Sequence, residues 1–248
     1  MIDLSKKSVF LTGGTGLIGS TIIDGLIKAQ AKVYLLIRDE KSIKKIESIY
    51  QNNISFIEGS MEDIDDKFLS SNLSDLEINC VVHAAVFRPS QENLNNEKNS
   101  FLSSINTNLS ATYNIYDFFA KKFSLNDGGS LVGIGSIYGV AAPDPHIYLN
   151  TEMGTEIDYT VIKSSLIGIS KYIASYYGQK GVRSNIITLG GVRNNQPKSF
   201  IKEYEKKTCL GRMANPNDVF GATAYLLSDL SSYVTGSEIR VDGGYLCK

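Results

Sequence analysis

The chain has 248 residues, 42% of them hydrophobic and 21% charged, with a formal net charge of −1. The composition is that of a globular protein, the length suits one large domain or two small ones, and the charge offers no footprint for nucleic acid or an anionic membrane surface. Cys80, Cys209 and Cys247 are too widely spaced for a disulfide framework or a metal site and suggest a reducing cytoplasm, and His83 and His146 lack the companions of a zinc site, so no metal is expected. No apolar run reaches the ~18 residues of a membrane span. The run "VFLT" after Lys6 and Lys7 is too short for a signal peptide. With no repeat, low-complexity tract or linker, residues 1–248 are expected to form a single unit.

The first strand is expected over 8–13, "SVFLTG", and runs into "LTGGTGLIGS", where glycines fall at 13, 16 and 19. A helix over 17–29 follows, with Ile18, Ile22, Leu26 and Ala29 on one stripe. A glycine-rich turn between strand and helix is a nucleotide-phosphate site: Gly13 allows the tight turn, Gly16 the approach of a pyrophosphate, and Gly19 the packing of helix on strand. The helix N-terminus adds free N–H groups and a positive dipole end. The next strand, "KVYLLI" at 32–37, places Ile37 where an acidic residue would bind an NAD ribose. Arg38 follows and suits the 2′-phosphate of NADP; Asp39 is its rival for NAD, and a solvated turn is the plainer alternative.

Further strands are expected at 54–59, 79–85, 129–136, 183–191 and 238–244, with helices over 107–122, 160–178 and 216–229. The strand runs are almost continuously apolar, as a sheet covered on both faces requires. Their alternation with helices predicts an α/β protein with a doubly wound parallel sheet.

"EIDYTVIKSS" at 156–165 holds Tyr159 and Lys163 four residues apart, hence on one face of a helix. A snorkelling lysine beside an amphipathic tyrosine explains the pair without function. The order of further motifs favours the other reading. "TGGTGLIG", "HAA" at 83–85, "NTNLSATYNI" at 106–115, "GIGSIYG" at 133–139, "YTVIKSSLIGISKYIA" from 159, and a long C-terminal match from Arg212 to "VDGGY" together resemble the short-chain dehydrogenase/reductase family over nearly the whole chain.

The resemblance implies a single-domain Rossmann fold and an NAD(P)-dependent oxidoreductase that interconverts a secondary alcohol and a ketone. It implies Ser136, Tyr159, Lys163 and Asn108 as catalytic residues. Thr15, Leu17 and Ile18 with the glycines, Arg38, Ser60, Met61, Ala84, Ala85, Tyr159, Lys163, Gly190 and Val192 are the implied cofactor contacts. In such a site a nearby ammonium favours the phenolate, so Lys163 is expected to lower the phenol's pKa from ~10. Lys163 is also implied to bond the nicotinamide ribose, Ser136 to donate to the substrate oxygen, and Asn108 to hold a relay water, unless it only bonds backbone. A homotetramer or dimer is implied as well.

Several features depart from the family pattern. The spacing G-x-x-G-x-x-G is that of the extended branch of epimerases and dehydratases, which normally carries a further C-terminal domain. Ser60 replaces an aspartate that touches adenine in many relatives, and Leu189 replaces a proline. The 23 positions from Ser136 to Tyr159 predict a loop over the pocket, where His146, Tyr148, Asn150 and Glu152 are candidate contacts to a polyhydroxyl substrate. The expected lid, about 192–213, carries Arg193, Lys198, Lys202, Lys206 and Lys207. These suggest a polar substrate such as a sugar derivative, unless they are simply a solvated helix face. Competing readings are an epimerase or dehydratase, a 3-oxoacyl thioester reductase, and a cofactor-binding scaffold without activity.

Overall fold

The computed structural model describes residues 2–50, 54–88 and 97–247. Seven strands, β1 (Ser8–Thr12), β2 (Lys32–Ile37), β3 (Ile54–Glu58), β4 (Cys80–His83), β5 (Gly129–Ile134), β6 (Val182–Leu189) and β7 (Glu238–Val241), form one sheet in the order β3-β2-β1-β4-β5-β6-β7. Every neighbouring pair is parallel. The helices are α1 (Leu17–Lys28), α2 (Glu40–Tyr50), α3 (Asp66–Leu73), α4 (Glu97–Ser124), α5 (Ile157–Tyr177), α6 (Lys198–Lys207) and α7 (Phe220–Leu227). This is the expected doubly wound fold, in a single domain.

The two-residue period of the strands divides the apolar residues between two cores. Val9 and Leu11 of β1 join Ile22 and Leu26 of α1 and Leu226 of α7 on one face. Phe10, between them, joins Ile115 and Phe119 of α4 and Leu166 of α5 on the other. All these residues are buried, which explains why the strands read as continuous apolar runs. The second core is strongly aromatic: Phe119 lies 5.3 Å from Phe10 and 5.5 Å from Phe123, ring centroid to ring centroid.

Three helices escaped the sequence reading. Helix α2 buries only Ile46, and α3 is eight residues long, capped by Asp65, whose carboxylate accepts from the Phe68 N–H at 2.7 Å. Helix α6 lies inside the expected lid. Helix α4 begins at Glu97, well before the expected 107. The helix expected over 216–229 is a 3-10 turn, Pro216–Val219, followed by α7; Asn215 and Asp218 form a capping box at its start. No helix among the described residues is long and apolar enough to cross a membrane.

Most of the expected strands overran the real ones at their carboxyl ends. The overruns hold Gly13, Ala84–Ala85, Gly135–Ser136, Gly190–Gly191 and Asp242–Gly244. All lie along the carboxyl edge of the sheet, where an open parallel sheet presents its ligand site.

Phe119, on α4, packs against Phe10 of β1 and Phe123 of its own helix. Replacing it with Ala should cost about 3–5 kcal/mol of unfolding free energy, read from the urea midpoint, whereas Phe118→Ala, at a half-buried position, should cost clearly less. Equal losses would mean that the aromatic core does not centre on Phe119.

Candidate active site at the carboxyl edge of the sheet

Gly13 has φ +77°, and a Cβ there would stand 2.6 Å from the Ala85 backbone nitrogen. The β1 turn and the β4 turn therefore lie against one another. A Cβ on Gly19 would strike the Gly13 carbonyl, so α1 can approach the turn only with glycine at that position. The Ser20 N–H bonds the Gly16 carbonyl at 2.9 Å, while the N–H groups of Leu17, Ile18 and Gly19 have no backbone partner among the described residues. Thr15, Gly16 and Leu17 are exposed and Ile18 half-buried. The result is an open cradle of unbonded N–H groups at a helix N-terminus, which fits the pyrophosphate of a dinucleotide.

At the end of β2, Ile37 is buried and Arg38 exposed. Asp39 is spent on α2. Its carboxylate accepts from the Ser42 N–H at 2.9 Å and the Ser42 hydroxyl at 3.1 Å, and these bonds hold its pKa below the usual carboxylate value. The Gly59 N–H bonds the Ile37 carbonyl at 2.8 Å, which brings Ser60 beside Arg38. Ser60 donates through both its N–H and its hydroxyl to Asp63, each at 2.7 Å. The Met61 side chain is buried with Phe10 and Tyr34, so only its backbone can meet a ligand.

The chemical end lies between β5 and α5. Lys163 is only 5% exposed, and its Nζ donates to the Ile134 carbonyl, the last of β5, at 2.6 Å. Ser136 follows two residues on, its hydroxyl accepting from the Tyr138 N–H at 3.2 Å. Tyr159 stands one turn before Lys163, with its ring centroid 5.8 Å from the Lys163 Nζ. A Cβ on Gly139 would lie 2.6 Å from the Lys163 carbonyl, so the 3-10 turn after Ser136 rests directly on α5. The structure thus brings Ser136, Tyr159 and Lys163 together.

The electrostatics differ from expectation. Burial pushes the Lys163 ammonium down to about 8, helped by the positive charge of Arg88. Burial also raises the Tyr159 phenol; the neighbouring Ser136 hydroxyl and Arg88 oppose that rise, and Tyr148 adds to it. Lys163 is not among the groups that lower Tyr159. Its ammonium is directed at the Ile134 carbonyl instead.

Asn108 bonds backbone. Its amide donates to the Phe87 carbonyl at 2.9 Å and the Ser104 carbonyl at 2.8 Å, and its oxygen accepts from the Phe87 N–H at 2.8 Å. Both amide protons are spent on backbone carbonyls, so the side chain clamps the segment after β4. His83 opens the "HAA" turn. It is buried between Thr12 at 2.9 Å and Thr112 at 3.1 Å, and burial, then the Lys163 charge, pushes its pKa down to about 3. It is a neutral tie between β1, β4 and α4. The Ala85 N–H bonds the Thr12 hydroxyl at 3.3 Å in the same network.

Of the four loop candidates, only Tyr148 turns inward. Its hydroxyl lies 2.7 Å from that of Tyr138 and 2.7 Å from that of Thr155. His146 is exposed and held by Asp144 at 2.9 Å, and Asn150 and Glu152 are exposed. The lid helix α6 buries Phe200 and Tyr204 against Tyr148 and Tyr245. The Gly191 N–H donates to the Tyr204 hydroxyl, Gly190 bonds Val241 at 3.0 Å, and Val192 bridges Ala214. Three of the lid's five cations face acids: Lys207 with Asp144 at 2.7 Å, Lys206 with Glu203 at 2.6 Å, Arg193 with Glu205 at 3.6 Å. Sequence reasoning also passed over Arg88, whose only signal is its place five residues beyond the end of β4.

A protein-family model described as Enoyl-(Acyl carrier protein) reductase matches residues 17–246. The chain is 26% identical to the post-translational flagellin modification protein A of Campylobacter coli, over 98% of this chain and 99% of that one. It is 27% identical to a 3-oxoacyl-(acyl-carrier-protein) reductase of Rickettsia conorii, over 99% of each. The crystal structure of a short chain dehydrogenase from Leptospira borgpetersenii with bound NAD+ is 30% identical and superposes with a TM-score of 0.79, over 99% of this chain and 96% of that one. With the glycine cradle and the Ser-Tyr-Lys cluster in one fold, these matches establish that the chain belongs to the short-chain dehydrogenase/reductase family and is an oxidoreductase using a nicotinamide dinucleotide.

Proposed function

We propose that the protein interconverts a secondary alcohol and a ketone with NADP, and that Tyr159 moves the proton. The observation that carries this reading is the convergence of Ser136, Tyr159 and Lys163 at the end of β5, beside the phosphate cradle of β1. The bound cofactor supplies or accepts the hydride. Everything else falls to the chain. The Leu17, Ile18 and Gly19 N–H groups bind the pyrophosphate, and Thr15, Ala84, Ala85, Gly190 and Val192 line its path along the carboxyl edge. Arg38 takes the 2′-phosphate, because Asp39 is already committed to Ser42. Ser60 and the Met61 backbone flank the adenine side.

Ser136 donates to the substrate oxygen where negative charge develops. Tyr159 gives its proton to that oxygen in reduction and takes it back in oxidation. A phenol with a raised pKa is neutral at pH 7 and so stands ready to donate. Lys163 positions the cofactor's ribose and supplies positive charge beside the phenol when Tyr159 ionises. Asn108 holds the β4 turn that faces them.

A second reading, reduction of a 3-oxoacyl thioester, is favoured by the named activity of the Rickettsia conorii relative. The epimerase or dehydratase and the inactive scaffold have no such support. The exposed rings of Tyr113 on α4 and of Tyr172 and Tyr176 on α5, the last two stacked at 4.2 Å, are the face on which a second copy would pack in a dimer or tetramer. The three free thiols suit the reducing cytoplasm.

Tyr159→Phe should lower turnover by about 10²–10⁴-fold while leaving the NADPH dissociation constant unchanged in a fluorescence titration; retained turnover would refute the assignment of the proton. Arg38→Ala should weaken NADPH at least tenfold and leave NADH within twofold, and equal losses would refute the choice of NADP. Lys163 offers a test of stability. Its folded pKa of about 8 lies below its ordinary 10.5. Below pH 8 both states hold the proton, and the buried charge costs stability in full. Above 10.5 both are neutral and the cost is gone. Lys163→Met should therefore be at least as stable as the wild type at pH 7 in urea unfolding, with its advantage shrinking between pH 8 and 10.5. A variant less stable at pH 7 and relatively better at pH 10 would contradict the burial.

A further inference from the structure

We propose that Cys209 and Cys247 are a modification site: a thiol pair that hydrogen peroxide oxidises to a disulfide, fastening the C-terminal turn to the end of α6. The pair lies apart from Ser136, Tyr159 and Lys163, and the bond does not depend on the reaction proposed for that cluster.

The two cysteines are far apart in sequence and meet in the fold. Cys209 comes just after α6, and Cys247 closes a 3-10 turn, Tyr245–Cys247. A single atom joins them. The Gly244 carbonyl oxygen accepts from the Cys209 thiol, with Sγ at 3.3 Å, and from the Cys247 N–H at 3.2 Å. The approach is close on the Cys209 side: a Cβ on Gly244 would stand 2.7 Å from the Cys209 Cβ and 2.8 Å from its sulfur, so only glycine there admits the thiol. Closing the bond therefore asks only that Cys247 turn its side chain toward a sulfur already seated against its own turn. Both residues are exposed and line one cavity of about 480 Å³, so a small oxidant and a reductant can reach them. The third thiol, Cys80, is buried in the core.

The chemistry is a two-electron oxidation. One thiolate attacks hydrogen peroxide; the O–O bond breaks, the sulfur keeps one oxygen as a sulfenic acid, and the other oxygen leaves as water. The second thiolate attacks that sulfur; the S–S bond forms, the S–O bond breaks, and the second oxygen leaves as water with the protons the thiols gave up. Two thiols have lost two electrons, and peroxide has become two waters. A dithiol reductant restores the pair, as suits a transient disulfide in a reducing compartment. The consequence falls on the lid. The C-terminal turn already leans on it, with the Tyr245 ring stacked on Tyr204 of α6 at 5.0 Å and the Leu210 N–H on the Gly243 carbonyl at 3.0 Å. The Asp242 carboxylate anchors the turn beyond β7 by accepting from the Gly244 N–H at 2.9 Å and the Leu246 N–H at 3.0 Å. A bond from Cys209 to Cys247 thus ties the carboxyl end of α6 to the edge of the sheet and restricts local opening of that helix.

The test treats the reduced full-length protein with hydrogen peroxide, counts thiols, and maps linked peptides by mass spectrometry. The wild type should lose two of its three thiols, become lighter by two hydrogen atoms, and yield one linked pair, Cys209 with Cys247. It should run as a single chain on a non-reducing gel, and dithiothreitol should reverse the change. Limited trypsin digestion then reads the lid, because Lys198, Lys202, Lys206 and Lys207 of α6 are exposed. Cleavage within α6 should slow about fivefold in the oxidised protein. Under the same peroxide treatment, Cys209→Ser and Cys247→Ser should each keep the cleavage rate of the reduced wild type. No loss of thiols, a sulfinic acid on one cysteine in place of the link, or a disulfide between two subunits would overturn the site. A Cys209–Cys247 bond that leaves cleavage of α6 unchanged would overturn its hold on the lid. None of these readings uses turnover, so failure of the hydride-transfer reading leaves the test intact.

Discussion

Lys163 places an ammonium where only 5% of the residue reaches solvent, and one backbone carbonyl, that of Ile134, accepts its proton at 2.6 Å. Much of the carboxyl edge is arranged around that bond. Strand β5 must end at Ile134 for the carbonyl to be free. The turn after Ser136 must lie close to α5, which only a glycine at position 139 permits. His83, within reach of the Lys163 charge, must stay neutral, and burial together with that charge keeps it so. Burying a lysine lowers stability, since desolvation disfavours the charged form. The fold accepts that cost at the place where the proposed chemistry needs a cation beside a phenol, a common pattern at functional sites.

The same bond bears on the proposed mechanism. With its ammonium turned to Ile134, Lys163 does little for the Tyr159 phenol, and burial keeps that phenol protonated. Reduction begins with such a phenol. In the proposed mechanism, oxidation would have Lys163 give up Ile134 and face the ring, with the ribose of the cofactor as its new acceptor.

The architecture was legible because both faces of the sheet are covered, so strands such as β1, β2 and β5 announce themselves as largely apolar runs. The site was legible through spacing: three glycines after a strand, and Tyr159 and Lys163 one turn apart. Helices α2 and α3 were not, because each rests on few buried residues and their sequences are mostly polar. Asn108 has the residue type of a relay, yet the partners that fix its role lie 21 positions away at Phe87 and four away at Ser104. The lysines of α6 misled for a similar reason. Lys207 has its partner Asp144 far away in sequence, and only Phe200 and Tyr204 of that helix are fully buried.

The most direct test of the account is a crystal structure of the protein with NADP bound. The Tyr159 hydroxyl should face the nicotinamide ring, with the Lys163 ammonium moved from the Ile134 carbonyl to the adjoining ribose. A phenol turned away from the nicotinamide, with Lys163 still on Ile134 and remote from the cofactor, would contradict it.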